Sequence, residues 1–398
     1  MHFKLNFYTI LIFIFFLDFY CFSQENTIKS IRVHGAQNKT QKFNYKLGES
    51  INVSFDDLGI GVNDYYYSLV HCDYNWVPSN LFKNEYLVGM DDIRILNYRR
   101  SFNTLQNYTN YNFKFPNNNF TIKLGGNYLL KVKNRNDELI FERKIFLFNK
   151  LISGSIEISR AKKINLIQTH QNLKVKFYCN GCIFDSKSDY KLIVFQNSNL
   201  NKQKIINQPT YKTGGQLIYD NLVFEGGNEF YNFDTKNIFS SNSEIKSVNF
   251  NNIYETILYN DFKQKSYSFN PDINGEYLIN STSLENHVES DYTRVHFSYN
   301  EKLDSNQKIY LVGAFNNFEL FNKYELKKSE NLYKITLKLK QGFYNYSYII
   351  EENGLYKNNT NFWQTENDYY AILYEKKLTE RFYNIIGFLK KSSDNIVN

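Results

Sequence analysis

The side chains best suited to chemistry in this sequence are two closely spaced cysteines. Cys179 and Cys182 enclose Asn180-Gly181, a spacing found in redox-active pairs and in half of a zinc site. Asn-Gly is also the strongest two-residue signal for a β-hairpin turn, and no second CxxC or spaced histidine pair completes a set of zinc ligands. We therefore expect either a disulfide across the turn or two free thiols beside it, with no metal site and no catalytic role.

A second candidate is the block that begins at His71-Cys72 and continues through Asp73, Trp76 and Ser79. Adjacent residues on a strand point to opposite faces, so His71 and Cys72 are not expected to form a catalytic dyad. The block predicts a loop that follows a strand. Its polar side chains either recognise a partner or satisfy the loop backbone while Trp76 fills the core. The block extends through Glu85-Tyr86 and Gly89 to residues 101–104, which include Asn103.

A third candidate is a glycine pair, Gly226-Gly227, followed by Asn228, Glu229 and Phe230, with Asp234 close behind. Two glycines before an asparagine fit a tight turn or a bulge that needs positive φ. A phosphate-binding loop would require a helix to begin directly after the glycines, and no helical pattern follows them. We therefore expect a structural turn here.

A fourth candidate is the aromatic segment 312–318, which precedes Tyr344 and Tyr346. This layout resembles the early-set immunoglobulin-like domains of glycan-active proteins, in which aromatic rings stack on sugars. Fold resemblance alone does not confer that activity, and a packed hairpin explains the same pattern. Motifs of the commoner hydrolases, metalloenzymes and nucleotide-binding enzymes are absent from the sequence, and its six histidines are scattered, so no enzyme and no cofactor are predicted.

The elements that must position these residues are strands. Residues 332–340 alternate apolar and polar side chains, from Tyr333 inward to Lys340 outward, which predicts a half-buried strand with a wet outer face. The two-residue period resumes after Gln341-Gly342, so we expect a hairpin there. Further strands are predicted at 51–55, 65–72, 128–132, 139–148, 173–178, 191–196, 293–299, 308–312 and 369–374.

The strand pattern predicts an all-β protein of consecutive antiparallel immunoglobulin-like or early-set β-sandwich domains. We place these domains at residues 24–150, 151–280 and 281–398, after a signal peptide at 1–23. Lys4, the apolar run 10–17 and small residues before Gln24 fit a cleavable signal with cleavage near Ser23/Gln24. No later apolar run approaches membrane-spanning length. The formal charge of +7 is modest and scattered, so nucleic-acid binding is not predicted.

Taken together, these blocks resemble one family, the plug protein of the type IX secretion system of Bacteroidota, formerly described as a domain of unknown function. The block from His71 to Asn103 is similar to its N-terminal signature, and the block from Gly226 to Asp234 is similar to its middle signature. Glu225 and Tyr231 depart from the proline and the arginine expected there. Residues 340–346 and 365–369, which include Glu366 and Asn367, match its C-terminal part. The resemblance runs from about residue 28 to residue 388.

The resemblance implies a non-enzymatic protein of the periplasm. In that system an outer-membrane β-barrel of the SprA type exports folded cargo, and a PorV-type shuttle removes it. The plug then covers the periplasmic opening of the empty barrel. The signature residues are candidates for the docking interface or for structural roles: His71, Asp73, Trp76, Ser79, Glu85, Tyr86, Asn103, Gly226, Gly227, Asn228, Glu229, Phe230, Asp234, Tyr344, Tyr346, Glu366 and Asn367.

Two other functions stay open at the level of the sequence. Segment 313–318 also fits a glycan-binding accessory protein of the cell envelope. Cys179 and Cys182 also fit a thiol-active envelope protein.

Overall fold

A computed structural model of the chain describes residues 27–35, 41–179, 181, 183–282, 288–394 and 396. The predicted signal peptide at 1–23 lies outside these residues. The described chain consists of β-strands, one short helix and two single-turn 3-10 helices, which confirms the predicted all-β class. The described residues include no helix with the length and apolar character needed to cross a bilayer.

The first sandwich occupies residues 28–148. Its strands are β1 (Ile28–Gly35), β2 (Asn44–Lys46), β3 (Ile51–Asp57), β4 (Tyr65–Cys72), β5 (Leu87–Gly89), β6 (Ile93–Arg94), β7 (Tyr98–Arg100), β8 (Thr109–Phe115), β9 (Phe120–Ile122), β10 (Gly126–Asn134) and β11 (Leu139–Phe148), and helix α1 (Lys83–Tyr86) precedes β5. A sheet ordered β1-β3-β8-β7 packs on a sheet ordered β2-β11-β10-β4-β6, and β5 pairs with β9.

The middle sandwich begins with β12 (Ser153–Arg160), β13 (His170–Tyr178), β14 (Asp189–Gln196), β15 (Asn199–Ile206), β16 (Tyr211–Thr213) and β17 (Gln216–Glu225). The chain then builds a third sandwich before the middle one is complete. The strands of the third sandwich are β18 (Tyr231–Asp234), β19 (Ile245–Asn251), β20 (Ile253–Leu258), β21 (Tyr277–Ile279), β22 (Tyr292–Tyr299), β23 (Gln307–Val312), β24 (Lys327–Ser329), β25 (Leu332–Lys340), β26 (Gly342–Glu352) and β27 (Leu355–Asn358). The 3-10 helices Ala314–Asn316 and Asn322–Tyr324 follow β23.

The last two strands, β28 (Asp368–Lys376) and β29 (Asn384–Ser392), return to the middle sandwich and form the sheet β15-β14-β28-β29. Its other sheet is β12-β13-β17-β16. In the third sandwich β26 pairs with β18, β21, β23 and β27, and the opposite sheet is β19-β20-β22-β25-β24. Parallel pairs occur at β2–β11 and at β20–β22.

The sheets do not follow the predicted linear order of domains. The prediction divided the chain at residue 280 and assigned 281–398 to one C-terminal domain, but β28 pairs with β14 over eight residues, from Asp189↔Lys376 to Gln196↔Tyr369. The reason is burial: Leu192 and Val194 of β14 enter the middle core together with Leu373 of β28. Without β28 this core would lack one wall. The third sandwich is therefore inserted into the middle one.

The predicted hairpin across Gln341-Gly342 is also corrected. Strands β25 and β26 lie in opposite sheets of the third sandwich, and the chain crosses between the sheets at this dipeptide. Gln341 is buried, and its backbone N–H donates to the Asp291 carbonyl at 2.9 Å. A Cβ on Gly342 would lie 2.2 Å from the Leu278 carbonyl oxygen, so the crossing requires glycine. Alternation fixed which side chains face the core, but both sheets of a sandwich satisfy that alternation equally.

A buried ion pair joins the first and third sandwiches. Lys340 Nζ lies 2.7 Å from Asp56 Oδ2, with side chains 3% and 1% exposed. The Tyr292 hydroxyl donates to the same oxygen at 2.7 Å, and Asn110 Nδ2 donates to Oδ1 at 2.7 Å. Lys340 also lies over the Tyr108 ring, 4.2 Å from its centre. The outer face of β25 was predicted to be wet, but at Lys340 the first sandwich covers it.

We predict that Lys340→Met destabilises the protein by about 3–5 kcal/mol, because it leaves the Asp56 carboxylate buried without its counter-ion. The free energy of unfolding is measured by urea denaturation followed by circular dichroism. Asp56→Asn combined with Lys340→Met recovers most of the loss, since the charge is removed with its partner. Lys334→Met, at an exposed position of the same strand, is the matched control. A Lys340→Met protein as stable as the control would contradict this assignment.

Candidate functional site

His71 is an enclosed structural residue at the end of β4. Its side chain is 1% exposed, with Nδ1 2.8 Å from Ser79 Oγ and Nε2 3.3 Å from the Gly125 carbonyl oxygen. A carbonyl only accepts, so Nε2 donates to it and Nδ1 accepts from the Ser79 hydroxyl. Burial lowers the pKa of His71 to about 4, which keeps the ring neutral at pH 7. Gly126 has φ +138, and a Cβ there would meet His71 Nε2 at 2.5 Å.

Cys72 lies on the opposite face of β4 from His71, as predicted. His71 packs edge-on against Tyr128, a residue of the first core, at 5.1 Å between ring centres. Cys72 belongs instead to the cluster between the first and middle sandwiches. Burial raises the pKa of its thiol to about 11, so the thiolate is not populated near pH 7. The two residues therefore form no Cys-His dyad.

The loop after β4 anchors Trp76 in the contact between the first and middle sandwiches. Asp73 Oδ1 accepts the backbone N–H groups of Asn75 and Val77, at 2.8 and 3.0 Å, and Trp76 takes a left-handed φ of 67°. The indole is 8% exposed and packs on Phe146 at 5.0 Å. The cluster around it combines Cys72, Trp76, Leu129 and Phe146 with Ile193, Phe195, Tyr370, Ile372, Tyr374 and Ile385 of the middle sandwich.

Gly226 lies against the backbone of Phe362, where the segments that enter and leave the third sandwich meet. A Cβ at Gly226 would lie 1.8 Å from the Phe362 carbonyl oxygen. Gly227 has φ +70, the positive φ expected of the glycine pair, although residues 226–230 form no tight turn, and its carbonyl accepts the Phe362 N–H at 2.8 Å. Asn361 Oδ1 accepts the Gly227 N–H at 3.0 Å. Asn228 lines a small cavity of about 60 Å³ beside Gly227.

Asn367 forms a buried polar junction beside Gly226 and is 2% exposed. Its Nδ2 donates to the Gly226 carbonyl at 2.8 Å, and its Oδ1 accepts from Asn197 Nδ2 at 2.6 Å. Its backbone N–H donates to Ser393 Oγ at 2.8 Å. Four separate segments of the chain therefore meet at Asn367, whose side-chain amide has partners for both its donor and its acceptor.

Glu229 is a buried carboxylate on the chain that leads into the third sandwich. It is 6% exposed, and its Oε1 accepts the Tyr267 hydroxyl at 2.7 Å and the Glu366 N–H at 3.1 Å. Burial raises its pKa to about 7, against the opposing effect of these hydrogen bonds. Asp272 lies nearby, where burial raises its pKa to about 6 and its Oδ2 accepts the Phe230 N–H at 2.6 Å.

The remaining signature residues lie at separate places. Tyr344 and Tyr346 are in the core of the third sandwich, and the Tyr346 hydroxyl donates to Asp261 Oδ2 at 2.9 Å. Asp234 Oδ1 accepts the Lys236 N–H at 2.7 Å. Asn103 is exposed in a left-handed turn with φ 55°. Some signature residues are thus buried in contacts between segments, two lie in the core of the third sandwich, and Asn103 is exposed. They do not form a single site.

The predicted Cys179–Cys182 pair is described only in part. Cys179 is disulfide-bonded, and Cys182 lies outside the described residues, so their pairing stays a prediction. Segment 313–318, which raised the possibility of glycan binding, has Phe318 buried against Phe230, while Phe315 is half-buried. The described part of the chain contains no group of three or more His, Cys, Asp or Glu side chains placed to hold a metal ion.

Four large apolar side chains are exposed on the two segments that the Glu85–Arg381 ion pair brings together, where the sequence prediction named only the polar signature. Phe82 is 75% exposed, Met90 62% and Leu378 80%, and Val88 is 50% exposed. We call these four residues the apolar rim. No periodicity could have identified them, because they lie in loops and in the three-residue strand β5, which are too short to show a repeating pattern.

Two ion pairs connect the segments that carry the apolar rim. Lys83 pairs with Asp91 across the segment that carries Phe82, Val88 and Met90. Glu85 pairs with Arg381 of the β28–β29 connection, which also carries Leu378. Glu85 Oε2 in addition accepts the backbone N–H of Phe82 at 2.7 Å.

We predict that Gly226→Ala destabilises the protein by about 3 kcal/mol, because the added methyl group meets a backbone oxygen that cannot move without opening the junction. Gly215→Ala is the control, since a Cβ there lies 4.0 Å from its nearest neighbour, the Cys179 carbonyl oxygen. The midpoint of thermal unfolding is compared for the two variants. Equal midpoints would show that the approach to Phe362 is not tight.

A second prediction concerns how the stability of the protein depends on pH through Glu229. Its pKa is raised in the folded protein, so the folded state binds more protons than the unfolded state between about pH 4.5 and 7. Its contribution to stability is therefore full below pH 4.5 and is lost as the pH rises to about 7. Glu229→Gln keeps the acceptor for Tyr267 and removes this loss, which stabilises the protein at pH 8 by on the order of 2 kcal/mol.

The measurement is the thermal midpoint of the wild type and of Glu229→Gln from pH 5 to pH 8. Glu330→Gln, in an exposed turn of the third sandwich, is the control for loss of one negative charge. Parallel pH profiles for the wild type and Glu229→Gln would rule out a raised pKa at Glu229.

Among solved structures, the chain is similar to a crystal structure of a hypothetical protein from Parabacteroides merdae ATCC 43184. The TM-score is 0.87 at 27% sequence identity, and the match covers 92% of this chain and 97% of that one. The B domain of a biofilm associated protein also aligns, over 92% of this chain and 86% of that one, with 11% identity. Its TM-score of 0.17 is too low to indicate a shared fold. No curated protein matches the chain.

A family model matches residues 28–149, which is the first sandwich together with the linker residue that follows it. The family is described as the type 9 secretion system plug protein, 1st domain. The matched range contains His71, Trp76 and Glu85, the block on which the sequence resemblance was first based. Residues 28–149 therefore match the first domain of the type 9 secretion system plug protein, the family that the resemblance predicted.

Proposed function

We propose that this protein is a non-enzymatic periplasmic plug that binds the SprA-type outer-membrane translocon of the type IX secretion system and closes its periplasmic opening while no cargo shuttle is bound. The family match over residues 28–149 carries this proposal. The signal-peptide pattern of residues 1–23, with cleavage near Ser23/Gln24, supports export to the periplasm.

The packing of the three sandwiches supports a plug that docks as a preformed body. The Trp76 cluster joins the first sandwich to the middle one, and the Lys340–Asp56 pair joins the first to the third. The Asn367 junction connects the entry and exit of the third sandwich. A body with few internal degrees of freedom loses little conformational entropy on binding, so more of the contact energy appears as affinity.

The apolar rim, three residues of the first sandwich and Leu378 of the β28–β29 connection, is the surface that we assign to docking. Large exposed apolar side chains on a folded protein mark interaction surfaces when they lie close together, and aromatic anchors carry much of the binding energy. Phe82 and Met90 lie on a segment fixed by the Lys83–Asp91 pair. A stable interface buries roughly 1,200–2,000 Å² in total, so the rim would form its centre and polar surroundings would complete it.

We predict that the tagged protein co-purifies with the outer-membrane translocon from a native host that lacks the cargo shuttle. The shuttle competes for the same translocon, so recovery falls when it is present. The measurement is quantitative mass spectrometry of the purified translocon, together with envelope permeability to a small dye in a deletion strain. Absence from every translocon preparation, with unchanged permeability, would refute the proposal.

A matched pair of variants tests the rim within the same assay. Phe82→Ser with Met90→Ser lowers recovery at least tenfold, since two desolvated anchors contribute about 1 kcal/mol or more each. The control is Ile164→Ser with Phe269→Ser, two exposed apolar side chains outside the first sandwich, at 91% and 61% exposure. Equal recovery of both double variants would place the docking surface elsewhere while leaving the plug function intact.

A further inference from the structure

A cavity of about 870 Å³ lies where the three sandwiches meet. Its walls come from β1 and β11 of the first sandwich, the β14–β15 turn of the middle sandwich and the segment 314–324 of the third. Asn201 Nδ2 bridges the middle and third sandwiches at its edge, donating to the carbonyls of Asn317 and Phe318 at 3.2 Å each. The volume is within the range of cavities that hold small ligands or short peptide segments.

Aromatic rings form much of the cavity wall, and they come from different sandwiches. Phe43 and Phe141 belong to the first, while Phe315, Phe321 and Tyr324 belong to the third. Phe321 is 57% exposed at the opening, although it is as large and apolar as any core residue. A wall of this kind binds apolar or aromatic groups, and the proposed plug function does not use it.

Arg143 is a charged group of the cavity wall, and the Glu319 carboxylate of the same cavity acts on it electrostatically without forming an ion pair. The two-residue period of β11 places it on the same face as Phe141 and Ile145, both of which are in the first core. Its Nη1 donates to the Glu142 carbonyl at 2.8 Å, and the guanidinium lies 5.6 Å from the centre of the Phe141 ring. It forms no ion pair with any carboxylate of the described chain segments. The side chain of Arg143 is half-buried, and this burial lowers the pKa of its guanidinium.

The charge of the cavity wall favours an anionic occupant. Six lysine and arginine side chains line it against three glutamates, Glu142, Glu276 and Glu319. Burial raises the pKa of two of these glutamates, that of Glu276 to about 7 and that of Glu319 above its ordinary value. Glu276 Oε2 has no hydrogen-bond partner within the described residues. Lys323 lies over the rings of Phe321 and Tyr324, so positive charge and aromatic surface alternate at the opening.

We propose that this cavity binds an acidic peptide segment that carries aromatic side chains, with a peptide carboxylate paired to Arg143 and the aromatic rings on the wall of Phe141, Phe315 and Phe321. A guanidinium binds a carboxylate through two parallel hydrogen bonds, and Arg143 has no such ion-pair partner among the described residues. The inference does not depend on the plug function, because it is drawn from the chemistry of the cavity wall alone. The rim and the cavity are separate surfaces, so both can be occupied at once.

The test uses the mature full-length protein and a fluorescein-labelled peptide of sequence Asp-Phe-Asp-Phe-Asp. We expect saturable binding by fluorescence anisotropy, weakened by salt. The peptide Asn-Phe-Asn-Phe-Asn tests the need for charge, and Asp-Ser-Asp-Ser-Asp tests the need for aromatic rings. Both bind at least tenfold more weakly, since each lacks one of the two contacts.

Arg143→Gln weakens binding of the acidic aromatic peptide at least tenfold. Arg135→Gln, at an exposed position of the β10–β11 turn, has no effect and is the matched control. Lys323→Gln, at the exposed opening, gives a smaller loss and serves as the second variant if Arg143→Gln fails to fold. No saturable binding, equal binding of the Asn-containing peptide, or identical affinities of the Arg143 and Arg135 variants would each overturn the proposal.

Discussion

The rest of the structure depends on the pairing of β14 with β28. Strand β14 carries Leu192 and Val194 into the middle core, and no strand of the preceding chain pairs with its open edge. An open edge with apolar residues on its face is an aggregation hazard and an incomplete core. Strand β28 completes both the ladder and the core, but it arrives only after the third sandwich. Because β28 must return to β14, the inserted third sandwich has to begin and end at the same place. The close approach of Gly226 to Phe362 and the Asn367 junction both lie at that place.

The contacts between the sandwiches divide into two kinds with different energetic roles. The Trp76 cluster is apolar and stabilises the contact between the first and middle sandwiches by removing rings from water. The Lys340–Asp56 pair contributes little net stability, since desolvation of both charges offsets most of their attraction. Its effect is on orientation. An arrangement of the first sandwich on the third that buried Asp56 or Lys340 without its partner would be disfavoured. The apolar contact therefore holds the sandwiches together, and the polar contact determines how they are oriented.

Local sequence patterns predicted the strands well but could not predict their partners. The predicted segments 65–72, 139–148 and 332–340 coincide with β4, β11 and β25. Alternation reports that one face of a strand is buried, and it carries no information about the sheet that contains the strand or about what covers its other face. The hairpin expected at Gln341-Gly342 and the wet face expected at Lys340 were wrong for this reason. The positive φ expected at the glycine pair is present at Gly227, but the carbonyl of Phe362 that makes glycine necessary at Gly226 lies far away in the sequence. The apolar rim and the Arg143 cavity arise from the same kind of distant contact.

The discontinuous middle sandwich has a consequence for the order of folding. Its first six strands are synthesised well before the last two, since translation proceeds from the N-terminus. Closing the middle sandwich with an unstructured chain between residues 225 and 368 would carry the full entropic cost of a long loop. Once the inserted sandwich has folded, its own entry and exit lie side by side at Gly226 and Phe362, and the loop to be closed becomes short. The third sandwich thus acts as a template for the middle one, and the final strands of the chain complete a domain whose remaining parts are already in place.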